Sequence, residues 1–397
     1  MRRYLIIGAV VILLIGIGVA VYFFFFAKKP AVTTTPGAGL PIAGQGTPQA
    51  GTPKGGAITP PNTPATISPR LIQISVGPVA LGAVVVSKGG NASTSAETTT
   101  TYIDRQNGNV YSYSSSAKTT TRTSNKTIPG IQSVSWLPSG SLAFVRYLSG
   151  ADSSTINTYG LPSNGSAGFF LTQNLADVAV SSTSVVTLAS GVNGSVASLA
   201  RTDGTPVSQL FTTPLSSLRI SFAGKNQYLV YTKPSSQLQG DAYLVDSAGI
   251  FSRIFGPQNG LSALASPSGK WVLVSYVVNG AMQMELVNTT TNETLPLPVA
   301  SIAEKCVWTV DDSAIYCGVP VDPPPGVSYP DDWYQGAIHF SDRIWKIQVS
   351  GRYAQLVLDF TAETETSLDA VSLTIDPFSS SLVFVNKNDL SLWSYSL

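Results

Sequence analysis

The chain has 397 residues, with 23 Lys and Arg against 22 Asp and Glu, and only 11% of it is charged. So even a balance excludes a nucleic-acid binder, which needs a basic stripe to release counterions from phosphates. With few Lys, Glu and Arg available for exposed helix faces, the polar surface falls to Ser, Thr, Asn, Gln and Gly, so the body reads as all-β.

The chain opens with 23 uncharged residues, Leu5 to Ala27, between Arg2–Arg3 and Lys28–Lys29. As a helix they span roughly 35 Å, enough for a hydrocarbon core of about 30 Å. Phe23 to Phe26 run straight into the lysines without a small-residue cleavage site, so residues 1–29 are expected to remain as a transmembrane signal anchor. The short N-terminal tail and the large, charge-poor body predict a cytoplasmic N-terminus and an extracytoplasmic body. Residues 30–69 follow as a Pro/Thr/Gly-rich linker. Nine prolines and no aromatic residue fall between Lys28 and Pro69, so this segment forms no core. Its extended reach is at most about 130 Å.

From residue 70 onward one unit recurs. SVSWLPSGSLAFVRY (133–147), SLRISFAGKNQYLVYT (217–232), ALASPSGKWVLVSYVV (263–278), KCVWTVDDSAIYCGV (305–319) and AVSLTIDPFSSSLVFVN (370–386) each pair two apolar-alternating runs across a polar turn. DVAVSSTSVVTLAS (177–190) is a weaker copy. A second hairpin generally follows each, giving four strands per unit and a spacing of about 40–47 residues, the signature of propeller blades. The W-x-P-S-G of Trp136 to Gly140 and the S-P-S-G of Ser266 to Gly269 resemble the WD-like repeats of exported bacterial propellers of the TolB type. YIDRQNGNVY (102–111), SNKTIPG (124–130) and PDDWYQGAIHFSDRIWKI (330–347), together with the anchor, resemble membrane-tethered propeller proteins of candidate-phylum bacteria. These motifs are structural, so the resemblance implies fold and export rather than an activity. The histidine and Trp-Asp dipeptides of true WD repeats are missing.

The expected architecture is a seven-bladed β-propeller over residues 70–397. Blade one spans Val79 to Pro129, with a Thr/Ser-rich excursion between its first two strands. Blades two to six begin near Ile131, Leu175, Ser216, Leu261 and Ile302. Residues 367–397 supply three strands, and RLIQIS (70–75) is expected to complete the last blade and remove an open edge.

Candidate chemistry is sparse. Cys306 and Cys317 face each other in the blade-six hairpin, either as a disulfide or as two buried thiols. No metal or cofactor site is expected, because two cysteines and one distant histidine are too few ligands. His339, the only histidine, sits between apolar neighbours and is a poor candidate for a catalytic base. The Asp311–Asp312 pair is expected in a hairpin turn for backbone reasons. Six Asn-x-Ser/Thr sequons begin at Asn91, Asn125, Asn164, Asn193, Asn288 and Asn292, weak signals in a chain this rich in those residues.

The odd feature is YPDDWYQGAIHFS (329–341), the end of an insertion between the second and third strands of blade six. That connection emerges at a propeller mouth, where function gathers on loops over a rigid scaffold. Asp331, Asp332, Trp333, Tyr334 and His339 are the candidate binding residues; the alternative is a packed lid with buried aromatics. The reading that follows is an envelope propeller that binds or scaffolds a protein or glycan partner. An exported hydrolase or lyase, and a structural subunit of a surface assembly, stand as alternatives. Protease added to intact cells is expected to degrade the body, and full protection would contradict an extracytoplasmic orientation.

Overall fold

The computed structural model describes residues 70–88 and 97–397. The segments expected to be the anchor (5–27) and the linker (30–69) lie outside these residues. Among the described residues no helix is long and apolar enough to cross a membrane. Their strands form seven four-stranded antiparallel sheets. The first strands of blades two to four, Ile131–Trp136, Leu175–Val180 and Leu218–Phe222, lie side by side. The ring continues through Ser262–Ala265 and Cys306–Trp308 to Ala370–Ile375, which touches Val84–Lys88 of blade one. A bridge from Leu81 to Ser133 joins blade one to blade two. The protein is a seven-bladed β-propeller.

Burial explains which sequences became which strands. A second strand has neighbouring blades on both faces, so Ala314–Pro320 and Ser381–Asn386 are buried at every position and read as nearly continuous apolar runs. An outer strand such as Thr119–Ser124 is exposed at five of six positions and is written in threonine. Between them the blade interfaces fill with aliphatic clusters, for example Leu229, Val272, Val274 and Val287 between blades four and five. The Thr-rich run of blade one differs from expectation. Glu97–Ile103 is the second strand itself, with Thr98, Thr100 and Thr101 buried, and the rest of the run, 89–96, lies outside the described residues. β-branched threonine is as much at home in a pleated strand as in a loop, and tertiary packing decided the matter.

The fourth strand of blade seven is Leu71–Ser75, paired antiparallel with Leu392–Ser396 in the register Leu71 to Tyr395 and Gln73 to Trp393. Arg70 reinforces the seam: its Nε and Nη2 donate to the Ser396 carbonyl at 3.0 and 2.8 Å, and its guanidinium lies 4.8 Å from the Tyr395 ring centroid. Leu71 is buried among Phe360, Phe384 and Tyr395.

The turns between first and second strands also clasp one blade to the next. Asp311 keeps to its own hairpin, where hydrogen bonds from the Thr309 and Ser313 hydroxyls hold its carboxyl down at about 2. Asp312 instead accepts from Ser266 Oγ at 2.7 Å and Ser268 N at 3.2 Å in the S-P-S-G turn of blade five. Gly269 of that turn has φ +78°, and a Cβ there would sit 2.5 Å from the Ala223 carbonyl oxygen of blade four. The glycine is required by both conformation and close approach. Asp376 of blade seven repeats the clasp, accepting from Ser87 Oγ of blade one at 3.0 Å.

Removal of residues 70–76 is expected to lower the melting temperature by roughly 10 °C or more, since it opens the ring and exposes the edge of Leu392–Ser396. An unchanged melting temperature would show that closure contributes nothing.

Candidate functional site

Residues 321–341 connect the second strand of blade six to its third, Asp342–Gln348. After a cis Tyr329–Pro330 peptide the segment makes a single helical turn, α1 (Asp331–Tyr334). Asp332 Oδ2 accepts from Ser328 N at 2.8 Å, and Tyr329 donates through its hydroxyl to the Pro324 carbonyl at 2.6 Å. These bonds fold the proline-stiffened rise back on the helix. Tyr329, Trp333 and Phe340 are all buried, and the Trp333 and Phe340 rings stack 6.0 Å apart.

Directly behind that stack lies Lys305, whose side chain has no solvent exposure. Its Nζ pairs with Asp342 Oδ2 at 2.8 Å and with Asp369 Oδ1, and sits 5.1 and 4.8 Å from the Trp333 and Phe340 centroids. Asp369 Oδ2 in turn accepts from Trp333 Nε1 at 2.9 Å and Phe340 N at 3.0 Å. Lys387 of blade seven donates to the Trp333 carbonyl and lies 4.4 Å from its ring. Burial pushes the Asp342 carboxyl up to about 6, only partly opposed by Lys305, and Asp369 adds to the rise. Burial likewise lowers the Lys387 ammonium, against the attraction of Asp369.

The far end of the insertion reaches blade four. Asp331 Oδ2 accepts from Ser236 N at 3.0 Å and Ser236 Oγ at 2.7 Å. In crossing the link between blades four and five the chain passes against Gly260, where a Cβ would meet Pro330 Cδ at 3.0 Å. The span leaves a cavity of about 370 Å³ between α1 and blade four, lined by Arg219, Lys233, Pro234, Asp331, Tyr334 and Gln335. Glu304 lies beside it, accepting from the Tyr231 hydroxyl at 2.9 Å. Burial and this carboxylate hold both the Tyr231 and Tyr334 phenols well above their usual value, so both are neutral donors at physiological pH. Arg219 lies 3.8 Å from Asp177 Oδ1. Burial works against its charge, but Asp177 and Glu304 carry the guanidinium above its usual value.

No protein-family profile matches this sequence, and no curated protein matches it. Among solved structures, the chain is similar in fold to an oligogalacturonate lyase in complex with manganese, at 10% identity over 82% of this chain and 97% of that one, with a TM-score of 0.49. It is also similar to Kuenenia stuttgartiensis hydrazine synthase, at 13% identity over 64% of this chain and 73% of that one, with a TM-score of 0.46. Neither likeness bears on activity.

The five residues singled out in the insertion are divided by the structure. Asp331 and Tyr334 line the cavity, Asp332 secures the insertion's own backbone, and Trp333 is buried with 4% of its surface exposed. His339 is exposed and does not line the cavity. Cys306 and Cys317 are paired across the hairpin and joined by a disulfide. Among the described residues no group of three or more His, Cys, Asp or Glu is arranged to hold a metal ion. Sequence reasoning missed Arg219, Lys233 and Glu304. The available signal was a charge within an inner strand, SLRISF, a position that most of the other blades leave uncharged.

The raised Asp342 carboxyl makes a pH prediction. An acid whose folded value lies above its unfolded one binds its proton more tightly in the fold, so stability from this group grows as pH falls from 7 through 6 toward 4. The full effect is about 3 kcal/mol. Asp342→Asn keeps the acceptor and removes the titration, so its melting temperature is expected to rise less than the wild type's between pH 7 and 5. Parallel curves would show that Asp342 does not titrate there. Lys305→Met, which leaves two buried carboxylates unpaired, is expected to destabilise by about 3–5 kcal/mol in denaturant unfolding.

Proposed function

We propose that the protein is an envelope recognition module: a propeller held to the membrane by residues 5–27, displayed outside the cytoplasm on its linker, and binding a protein or glycan partner at the mouth covered by the blade-six insertion. The observation that carries this reading is the cavity between α1 and blade four. Its walls come from blade four and a fixed insertion of blade six, and they join cations, a carboxylate, an amide and a phenol. Such convergence of polar groups in a preformed hollow is the usual form of a ligand site.

The arrangement favours recognition over acid–base chemistry. Asp331 is held by Ser236, Glu304 by Tyr231, and Asp177 accepts from Ile220 N at 3.0 Å and Val178 N at 2.9 Å. These carboxylates are committed to donors within the fold. The disulfide is in keeping with an oxidising compartment. The general resemblance to exported TolB-type propellers fits the same placement.

Gln335 is exposed, and Tyr334 leaves 37% of its surface open although its hydroxyl is shielded beside Glu304, so substituting this pair tests the cavity with little loss of core. Proximity labelling from the full-length protein in its native cells is expected to mark a defined set of envelope neighbours. Tyr334→Ala/Gln335→Ala is expected to lose them while keeping its melting temperature. Labelling unchanged by this pair of substitutions would move recognition away from the mouth.

A further inference from the structure

A second cavity, of about 530 Å³, opens between blades three and four. Arg219 and Lys233 line both this cavity and the one under α1. They are also the only charged residues lining the second. Both volumes fall in the range of ligand sites, roughly 300–1,000 Å³. A ligand occupying both would be extended and would cross two cations at its middle.

Arg219 is poised for such a crossing. Its Nε is buried without a hydrogen-bond partner, and among the described residues none of its donors meets an acceptor at hydrogen-bond distance. Asp177, 3.8 Å away, favours the charge without satisfying the donors, because its oxygens accept from backbone amides instead. The guanidinium is one-third exposed with its buried Nε unpartnered, which leaves donors for a ligand carboxylate to meet in a two-pronged pair. Lys233 is exposed and adds a second positive charge beside it.

We propose that the two cavities form one groove for an acidic oligosaccharide, in which Arg219 and Lys233 hold a sugar carboxylate. The inference rests on the mouth being the recognition site. The remaining walls favour a sugar over an acidic peptide. Ser190, Ser216 and Ser217 on one side and Gln335 on the other present hydroxyls and an amide for ring hydroxyls. Tyr334, 37% exposed, offers an aromatic ring for the apolar face of a sugar.

Isothermal titration of the full-length protein in detergent tests this with three probes: tetramannuronate, its neutral analogue mannotetraose, and tetraglutamate. Tetramannuronate is expected to bind, with the other two at least about tenfold weaker, the effect of one charge-assisted hydrogen bond. Lys233→Glu, at an exposed position that leaves the fold intact, and Arg219→Gln are each expected to weaken it by a similar factor. Equal binding of mannotetraose, equal binding of tetraglutamate, or indifference to Lys233→Glu would overturn the proposal. If no probe binds while Tyr334→Ala/Gln335→Ala still abolishes labelling, the acidic-glycan assignment fails and the recognition mouth stands. If labelling too is unaffected, both fail.

Discussion

Lys305 is the constraint on which one face of this propeller depends. An ammonium removed completely from water is tolerable only if its charge and its donors are met within the fold. Asp342 comes from blade six and Asp369 from the start of blade seven, so pairing Lys305 fixes the junction of two blades. Asp369 then uses its other oxygen on Trp333 and Phe340, so the same charge also fixes the insertion. One carboxylate thus determines both a blade interface and the position of a loop distant from it in sequence. An apolar replacement would pack, but it would not specify which loop atoms must approach.

That anchoring decides what kind of object the insertion is. A segment held at one end by Asp369 and Lys387 and at the other by Ser236 is a wall rather than a hinged gate. The ring beneath it is equally constrained, by the Leu71–Ser75 seam and by the aspartate clasps between blade turns. Ligand sites gain affinity when their groups need no ordering on binding. The rigidity of the mouth therefore favours recognition of a shape already present.

The fold was legible because its determinants are local and repeated. Each hairpin carries its own alternation and turn residues, and six copies, one of them weaker, make the period visible; even the closing strand was visible as an apolar run resembling outer strands. The Thr-rich run of blade one was misassigned because threonine composition alone does not separate loop from strand. The site was less legible for a different reason. Its residues are 219, 233, 304, 331, 334 and 335, and they meet only because blades four and six are brought within reach by an insertion whose path depends on Lys305. The density of charge and aromatics at 331–334 drew attention to that insertion, yet Trp333, the most conspicuous of them, is turned inward by Asp369. Nothing local in DDWY indicates which of its four side chains meets solvent.

The same limit explains the division of labour between two consecutive residues. Glu304 and Lys305 lie in one 3-10 turn, Ala303–Lys305, at the entrance to blade six. Their side chains diverge. Lys305 goes to the dry junction with blade seven, and Glu304 goes to the phenols beside the mouth cavity. A tight turn places successive side chains about 120° apart, so such divergence follows from the geometry of three residues per turn. The turn therefore couples the structural charge network to the mouth cavity covalently, through one peptide unit. Any change that dislodges Lys305 must displace Glu304 as well, so the chemistry at the mouth cannot be separated from the stability of the face that carries it.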